Sequence, residues 1–114
     1  MLKKIEHIIM LKDFYGPLLT EKQREVVNLY YENDWSLSEI AEHMSITRQA
    51  VYDLLKRAES SLEDYENRLG LAMKFINTRQ QLEEVYNLLN YKEKIDEAKV
   101  EKAAKILRDI SESI

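Results

Sequence analysis

Apolar residues recur at steps of three and four along most of this chain, and that spacing predicts helices joined by short turns. Leu2, Ile5, Ile8, Ile9 and Lys12 outline a short amphipathic helix over residues 2–12, expected to lid the core. Gly16-Pro17 then breaks the pattern, because proline disfavours helix in the residue before it. Thr20-Glu21-Lys22-Gln23 has the reciprocal capping arrangement that starts a helix, and Val26, Val27, Tyr30 and Tyr31 are expected to continue it inward. Ser36-Leu37-Ser38-Glu39 is a second capping box, with Trp35 and Ile40 at the spacing of a hydrophobic staple. That helix must be short, because Thr47 is another N-cap and Ile46 and Val51 repeat the staple spacing. From Thr47, the positions Ala50, Val51, Leu54, Ala58, Ser61, Leu62 and Tyr65 keep one small or apolar face for several turns. The result is a helix, a tight turn near residues 43–47 and a longer helix.

Beyond Arg68-Leu69-Gly70 the pattern changes. Ala72, Phe75, Arg79, Leu82, Tyr86 and Leu89 predict a long helix with a seam interrupted by one arginine, and Ile95, Ala98, Lys102, Ile106, Ile110 and Ile114 predict a final helix. A hairpin turning near Asn90–Lys92 joins them. Neither helix can bury its stripe alone, so the two pack on each other, on the first half of the chain or on a second copy. The expected organisation is all-α: a helix-turn-helix domain over residues 1–69, and a C-terminal helical hairpin over 70–114 that serves as a packing or homodimerisation arm.

Composition narrows the classes. With 114 residues the chain can build one modest core plus an extension. Two glycines and one proline leave few sharp turns, which suits helices and not a many-turned β architecture. The absence of cysteine removes disulfides and thiolate zinc sites and is compatible with a reducing cytosol. Glu6 interrupts the apolar stretch that a signal peptide needs, and no run free of Asp, Glu, Lys and Arg exceeds seven residues, so a cytoplasmic protein without membrane insertion is expected.

The segment from Ser38 to Leu54 carries the functional constellation. Ala41 is small where two helices would cross, and Ile40, Met44, Ile46, Val51 and Leu54 form a wedge that sets their angle. Ser45 stands where glycine is usual, so a left-handed backbone there would be mildly strained. With the wedge inward, the second helix presents Arg48, Gln49, Tyr52, Asp53 and Lys56. In a major groove, Arg48 can bind guanine bidentately, Gln49 can bind adenine and Tyr52 can meet a sugar or a thymine methyl, while Ser36, Thr47 and Arg57 are placed for phosphates. Double-stranded DNA is the expected partner.

Leu19-Thr20-Glu21-Lys22-Gln23-Arg24-Glu25-Val26-Val27, Ser36 to Glu42 and Thr47-Arg48-Gln49-Ala50-Val51 together resemble region 4 of the sigma-70 family, the part that reads the promoter −35 element. More narrowly, Asp13-Phe14-Tyr15-Gly16-Pro17-Leu18-Leu19-Thr20 with Arg48-Gln49-Ala50-Val51-Tyr52-Asp53 is similar to the YlxM family of small bacterial proteins, over roughly residues 1–75. The resemblance implies a DNA-binding regulator linked to the signal recognition particle pathway, with components of that particle as further partners. Ala50, Tyr52 and Asp53 replace the basic or amide residues usual on a sigma reading face, and Glu59, Ser60 and Ser61 replace the basic cluster that follows it. The −35 element is therefore not transferred as a target.

Charge opposes simple electrostatic binding. The chain carries a formal net charge of −4, and residues 20–65 hold five basic against ten acidic side chains. The recognition helix is locally positive, with Arg48, Lys56 and Arg57 against Asp53. The competing reading is a protein or RNA interaction module whose acidic surfaces meet a basic partner of the targeting machinery. No convergent titratable set suggests an enzyme, a metal or a cofactor: His7 and His43 are far apart, and Glu83-Glu84 and Asp96-Glu97 read as solvated helix faces.

Overall fold

A computed structural model describes residues 2–90 and 96–114 of the chain. The described residues form α1 (Leu2–Tyr15), a 3-10 turn (Gly16–Leu18), α2 (Glu21–Val27) continued by a π-helical turn (Asn28–Glu32), α3 (Leu37–Met44), α4 (Arg48–Leu69), α5 (Leu71–Leu89) and α6 (Glu97–Ser113). The all-α helix-turn-helix fold expected from the periodicity is the fold observed.

Each predicted helix start is made by the side chain named for it. The Thr20 hydroxyl accepts from the Gln23 amide while the Gln23 side chain accepts from the Thr20 amide, both at 3.1 Å. Ser36 and Glu39 repeat the exchange at 3.1 and 2.9 Å, and the Thr47 hydroxyl accepts from the Ala50 amide at 3.0 Å. These contacts satisfy amides that the first helical turn leaves without a backbone acceptor.

Helix α4 is the spine of the first compact unit, which ends at Ala72, and α1, α2 and α3 all pack on it. Ile8, Leu11 and Tyr15 from α1, Val26 and Val27 from α2, Ile40 and Ala41 from α3, and Val51, Leu55, Ala58 and Leu62 from α4 make one buried cluster. Helix α1 is thus longer than expected and part of the core. Its inward register runs through Ile8, Leu11 and Tyr15, and Lys12 is a polar bridge whose ammonium donates to Asn28 Oδ1 at 2.9 Å and also meets Glu32. The Leu2 side chain lies outside the described residues.

Two further expectations are corrected. The π-helical turn, closed by the Asn33 amide donating to the Asn28 carbonyl, adds a residue to the turn. It leaves Tyr30 at 36% exposure, while the Tyr31 hydroxyl donates to Glu59 Oε1 at 2.8 Å. On α4, Leu55 is buried where the expected wedge named Leu54, which packs only partly buried against the same cluster.

Tyr15 joins the start of the fold to the end of α4. Its hydroxyl donates to Glu66 Oε1 at 2.5 Å and accepts from the Leu71 amide at 3.0 Å. Glu66 Oε1 also accepts from the Ala72 amide at 3.0 Å, so the opening amides of α5 are satisfied by α1 and α4. Gly70 ends α4 at φ 62°, a left-handed conformation favoured by the lack of a Cβ.

The second compact unit runs from Met73 to Ile114. Lys74 donates to the Ser113 carbonyl at 2.6 Å and Lys102 approaches Glu84 at 3.6 Å, so α5 and α6 run antiparallel. The expected registers need correction here. Val85 of α5 and Ala103 and Ile110 of α6 are the buried positions, whereas Leu82, Tyr86 and Leu89 of the expected seam are exposed. Ala98, Lys102 and Ile114 also face outward. Ile95 and residues 91–92 of the expected turn lie outside the described residues.

Ala41 of α3 is buried in the cluster it shares with α4. Ala41→Glu would put a charge into that cluster, and we expect it to unfold the first unit; a thermal melt matching the parent protein would refute this register.

Candidate nucleic-acid interface

The turn between α3 and α4 is built by backbone bonds. The Ile46 amide donates to the Ala41 carbonyl at 3.0 Å and the Ser45 amide to the Glu42 carbonyl at 3.3 Å, with Ser45 left-handed at φ 57° and ψ 41°. This is a Schellman ending with serine in place of the usual glycine. It stops α3 after Met44, and the Thr47 cap begins α4 two residues after Ser45. Ile40, Ala41 and Val51 are buried between the two helices, with Met44, Ile46 and Leu54 packed partly buried against them. Trp35 packs on the same cluster and meets the His43 ring edge-on, with centroids 5.2 Å apart.

Locking one face of α4 turns the other outward. Arg48, Gln49, Tyr52, Asp53, Lys56 and Arg57 are all exposed. Arg48, Gln49 and Tyr52 come together with Leu37 around one open depression, which places a guanidinium, an amide and a phenol ring side by side. Among the described residues no carboxylate pairs with Arg48 or Arg57. The Gln49 side-chain amide donates to Asp53 Oδ1 at 3.0 Å, one turn on. Its carbonyl and its second amide proton remain for an adenine contact through both groups while Asp53 is held.

The candidate phosphate contacts differ from one another. Thr47 and Ser36 use their hydroxyl oxygens as caps, and Thr47 keeps its hydroxyl proton for a phosphate. Ser36, however, lies against Glu39, whose carboxyl is held below the usual carboxylate range by the Ser36 backbone amide and hydroxyl. A phosphate at Ser36 would meet that charge. Lys56 stands over the Tyr52 ring, 5.5 Å from its centroid, and its ammonium lies 3.7 Å from Glu59 Oε2.

Glu59 is the functional neighbour that sequence reasoning missed. It is 8% exposed. Its Oε1 accepts from Tyr31 and pairs with the Lys4 ammonium at 3.2 Å, while its buried Oε2 has no hydrogen-bond partner among the described residues. The signal was available in the spacing, since Glu59 lies one helical turn from both Leu55 and Leu62 on the buried face of α4. Lys4, 55 residues away in the chain, carries no such signal.

Burial pushes the Tyr31 hydroxyl well above the ordinary tyrosine range, reinforced by its hydrogen bond to Glu59 and that carboxylate's charge. A raised pKa in the folded state contributes stability that is fully present below the unfolded value of 10.0 and is lost as pH rises above it. Tyr31→Phe should therefore make the melting temperature fall less steeply with pH above about 10 than in the parent protein. Parallel profiles for the two proteins would contradict this.

Among the described residues, no helix is long and apolar enough to cross a membrane, and no group of three or more His, Asp or Glu side chains could hold a metal ion.

Comparison with known proteins supplies the family. The model of the UPF0122 family, described as "Putative helix-turn-helix protein, YlxM / p13 like", matches residues 2–107. A UPF0122 protein of Desulforamulus reducens is 47% identical over 112 residues, covering 97% of this chain and 96% of the relative. A UPF0122 protein of Acetivibrio thermocellus is 43% identical over 112 residues, covering 97% and 93%. A UPF0122 protein of Caldanaerobacter subterraneus is 55% identical over 76 residues, covering 67% of this chain and 65% of that one. With the capped α3–turn–α4 unit and its outward Arg48, Gln49 and Tyr52 in place, the chain belongs to the UPF0122 family of YlxM/p13-like helix-turn-helix proteins.

Proposed function

We propose that this protein is a cytoplasmic DNA-binding regulator, not an enzyme, that inserts the first turns of α4 into the major groove. The observation that carries the reading is the edge formed by Arg48, Gln49 and Tyr52, exposed on a helix whose opposite side is immobilised by Ile40, Ala41 and Val51. In this reading Arg48, Gln49 and Tyr52 contact base edges, and Thr47, Ser36, Lys56 and Arg57 contact the backbone. The first turn of α4 holds no acidic residue, unlike those of α2 and α3, which hold Glu21 and Glu39. Its amides and dipole favour an anion there.

The acidic body sets the strength of this binding. Few cations reach the reading face, so a single copy binds duplex weakly, and two copies double the phosphate contacts. The exposed Leu82, Tyr86 and Leu89 on α5 support pairing of two copies through the C-terminal helices, with half-sites about one helical turn apart. The process proposed for the protein is the signal recognition particle pathway, which the resemblance to the YlxM family implies. The second reading, a protein or RNA module of that pathway, is favoured by the exposed Glu39 and Glu42 of α3 beside the reading helix.

A salt titration of binding to random-sequence duplex separates the two readings. Binding at about 50 mM salt that weakens log-linearly with salt supports DNA, and no binding there removes it. Arg48→Ala should keep the parent melting temperature, since Arg48 lies outside the wedge, and should weaken duplex binding by about 1–3 kcal/mol at its best site. Equal affinity in both proteins would overturn the assignment of Arg48.

A further inference from the structure

We propose that Lys4, from the first turn of α1, joins Lys56 to form a second phosphate clasp beside the recognition helix, with Glu59 as its resident counter-charge. The inference rests on the DNA-binding reading and extends it to a residue outside the helix-turn-helix. Sequence alone places Lys4 in another helix, 52 positions before Lys56. The fold brings them to one carboxylate: Lys4 Nζ lies 3.2 Å from Glu59 Oε1, and Lys56 Nζ lies 3.7 Å from Glu59 Oε2. Lys56 also stands over the ring of Tyr52, a member of the proposed reading face. A continuous line therefore runs from the depression at Arg48 and Tyr52, through Lys56, to Lys4.

Burial gives the three groups different roles. The Glu59 side chain is 10% exposed, whereas Lys4 and Lys56 are 58% and 47% exposed. The carboxylate is fixed beneath the surface by the Tyr31 hydroxyl at 2.8 Å. The ammonium groups lie above it, where each has donors free for a second acceptor. A phosphodiester approaching α4 would meet two ammonium groups first and the carboxylate behind them. Glu59 Oε2 lacks a hydrogen-bond donor of its own, so its hold on Lys56 is a charge contact at 3.7 Å that a phosphate oxygen can outcompete at closer range. The ligand class is the nucleic-acid backbone, recognised by charge without regard to sequence.

Two features make the cluster more than an ordinary ion pair. A carboxylate on the inner face of α4 needs compensation, and here two exposed lysines reach it together with the Tyr31 hydroxyl, Lys4 at Oε1 and Lys56 at Oε2. The cluster also sits where the reading helix would otherwise run short of cations, because Glu59, Ser60 and Ser61 follow Arg57.

The test compares five proteins, each with all 114 residues, in salt titrations on random-sequence duplex: the parent, Lys4→Gln, Lys4→Arg, Glu59→Gln, and the double variant Lys4→Gln/Glu59→Gln. Glu59→Gln keeps an acceptor for Tyr31 and removes the counter-charge, so duplex binding should strengthen severalfold. Adding Lys4→Gln in that background leaves no buried charge unpaired, which protects folding. It should lower the slope of log K against log salt by about 0.9, the release expected for one phosphate contact. Lys4→Arg should retain the parent slope. Identical slopes for Glu59→Gln and the double variant overturn the clasp while leaving DNA binding intact, and weaker binding by Glu59→Gln assigns the cluster to folding alone and overturns it too. Absence of duplex binding by the parent protein overturns the clasp together with the DNA-binding reading.

Discussion

Between Met44 and Arg48 the backbone leaves the helical path for three residues, and the rest of the candidate surface follows from how it does so. Ser45 takes the left-handed conformation that closes α3, and the Thr47 hydroxyl receives the Ala50 amide that opens α4. These two events set the angle between the helices, and at that angle Ile40, Ala41 and Val51 are buried in one cluster. Had α3 run on, Arg48 and Tyr52 would continue its cylinder instead of projecting from a second one. A serine in this conformation costs roughly 1–2 kcal/mol against a right-handed backbone. The Schellman hydrogen bonds and the buried wedge offset that cost.

The long α4 depends in turn on polar contacts with the first helix. Tyr15 is buried among apolar side chains, yet its hydroxyl has two partners, Glu66 and the Leu71 amide. Glu59, about two turns nearer the start of α4, is reached by Tyr31 and Lys4 in a similar way. A buried hydroxyl or carboxylate without partners costs several times what a satisfied one contributes. These groups therefore specify how α1 and the π-helical turn lie on α4 more narrowly than apolar packing could, because apolar contact is non-directional.

Electrostatically the molecule is an acidic body with a narrow cationic ridge. The formal charge of −4 acts over a Debye length of about 8–10 Å at physiological salt. Attraction to a polyanion must therefore come from cations at direct contact, not from the field of the whole. Position then matters more than number: Arg48 stands without a carboxylate partner among the described residues, Lys56 shares Glu59 with Lys4, and Gln49 is held by Asp53.

The local features of the fold were legible in the sequence because they are made by residues close together in the chain. Capping boxes at Thr20–Gln23 and Ser36–Glu39, the Thr47 cap, the break at Gly16-Pro17 and the unusual Ser45 each depend on a few neighbouring positions, and a side chain that reaches three residues along finds its partner in any helix. The outward face of α4 was legible for the same reason, as the complement of a periodic apolar face. Rotational register was not, since steps of three and four leave adjacent stripes nearly equivalent until a partner chooses one: α1 turned to bury Leu11 and Tyr15, and α6 turned to bury Ala103 in place of Lys102. The pairing of Lys4 with Glu59, and of Tyr15 with Glu66, was decided only in three dimensions, because contacts across 55 and 51 residues have no local pattern and exist only once α1 lies along α4.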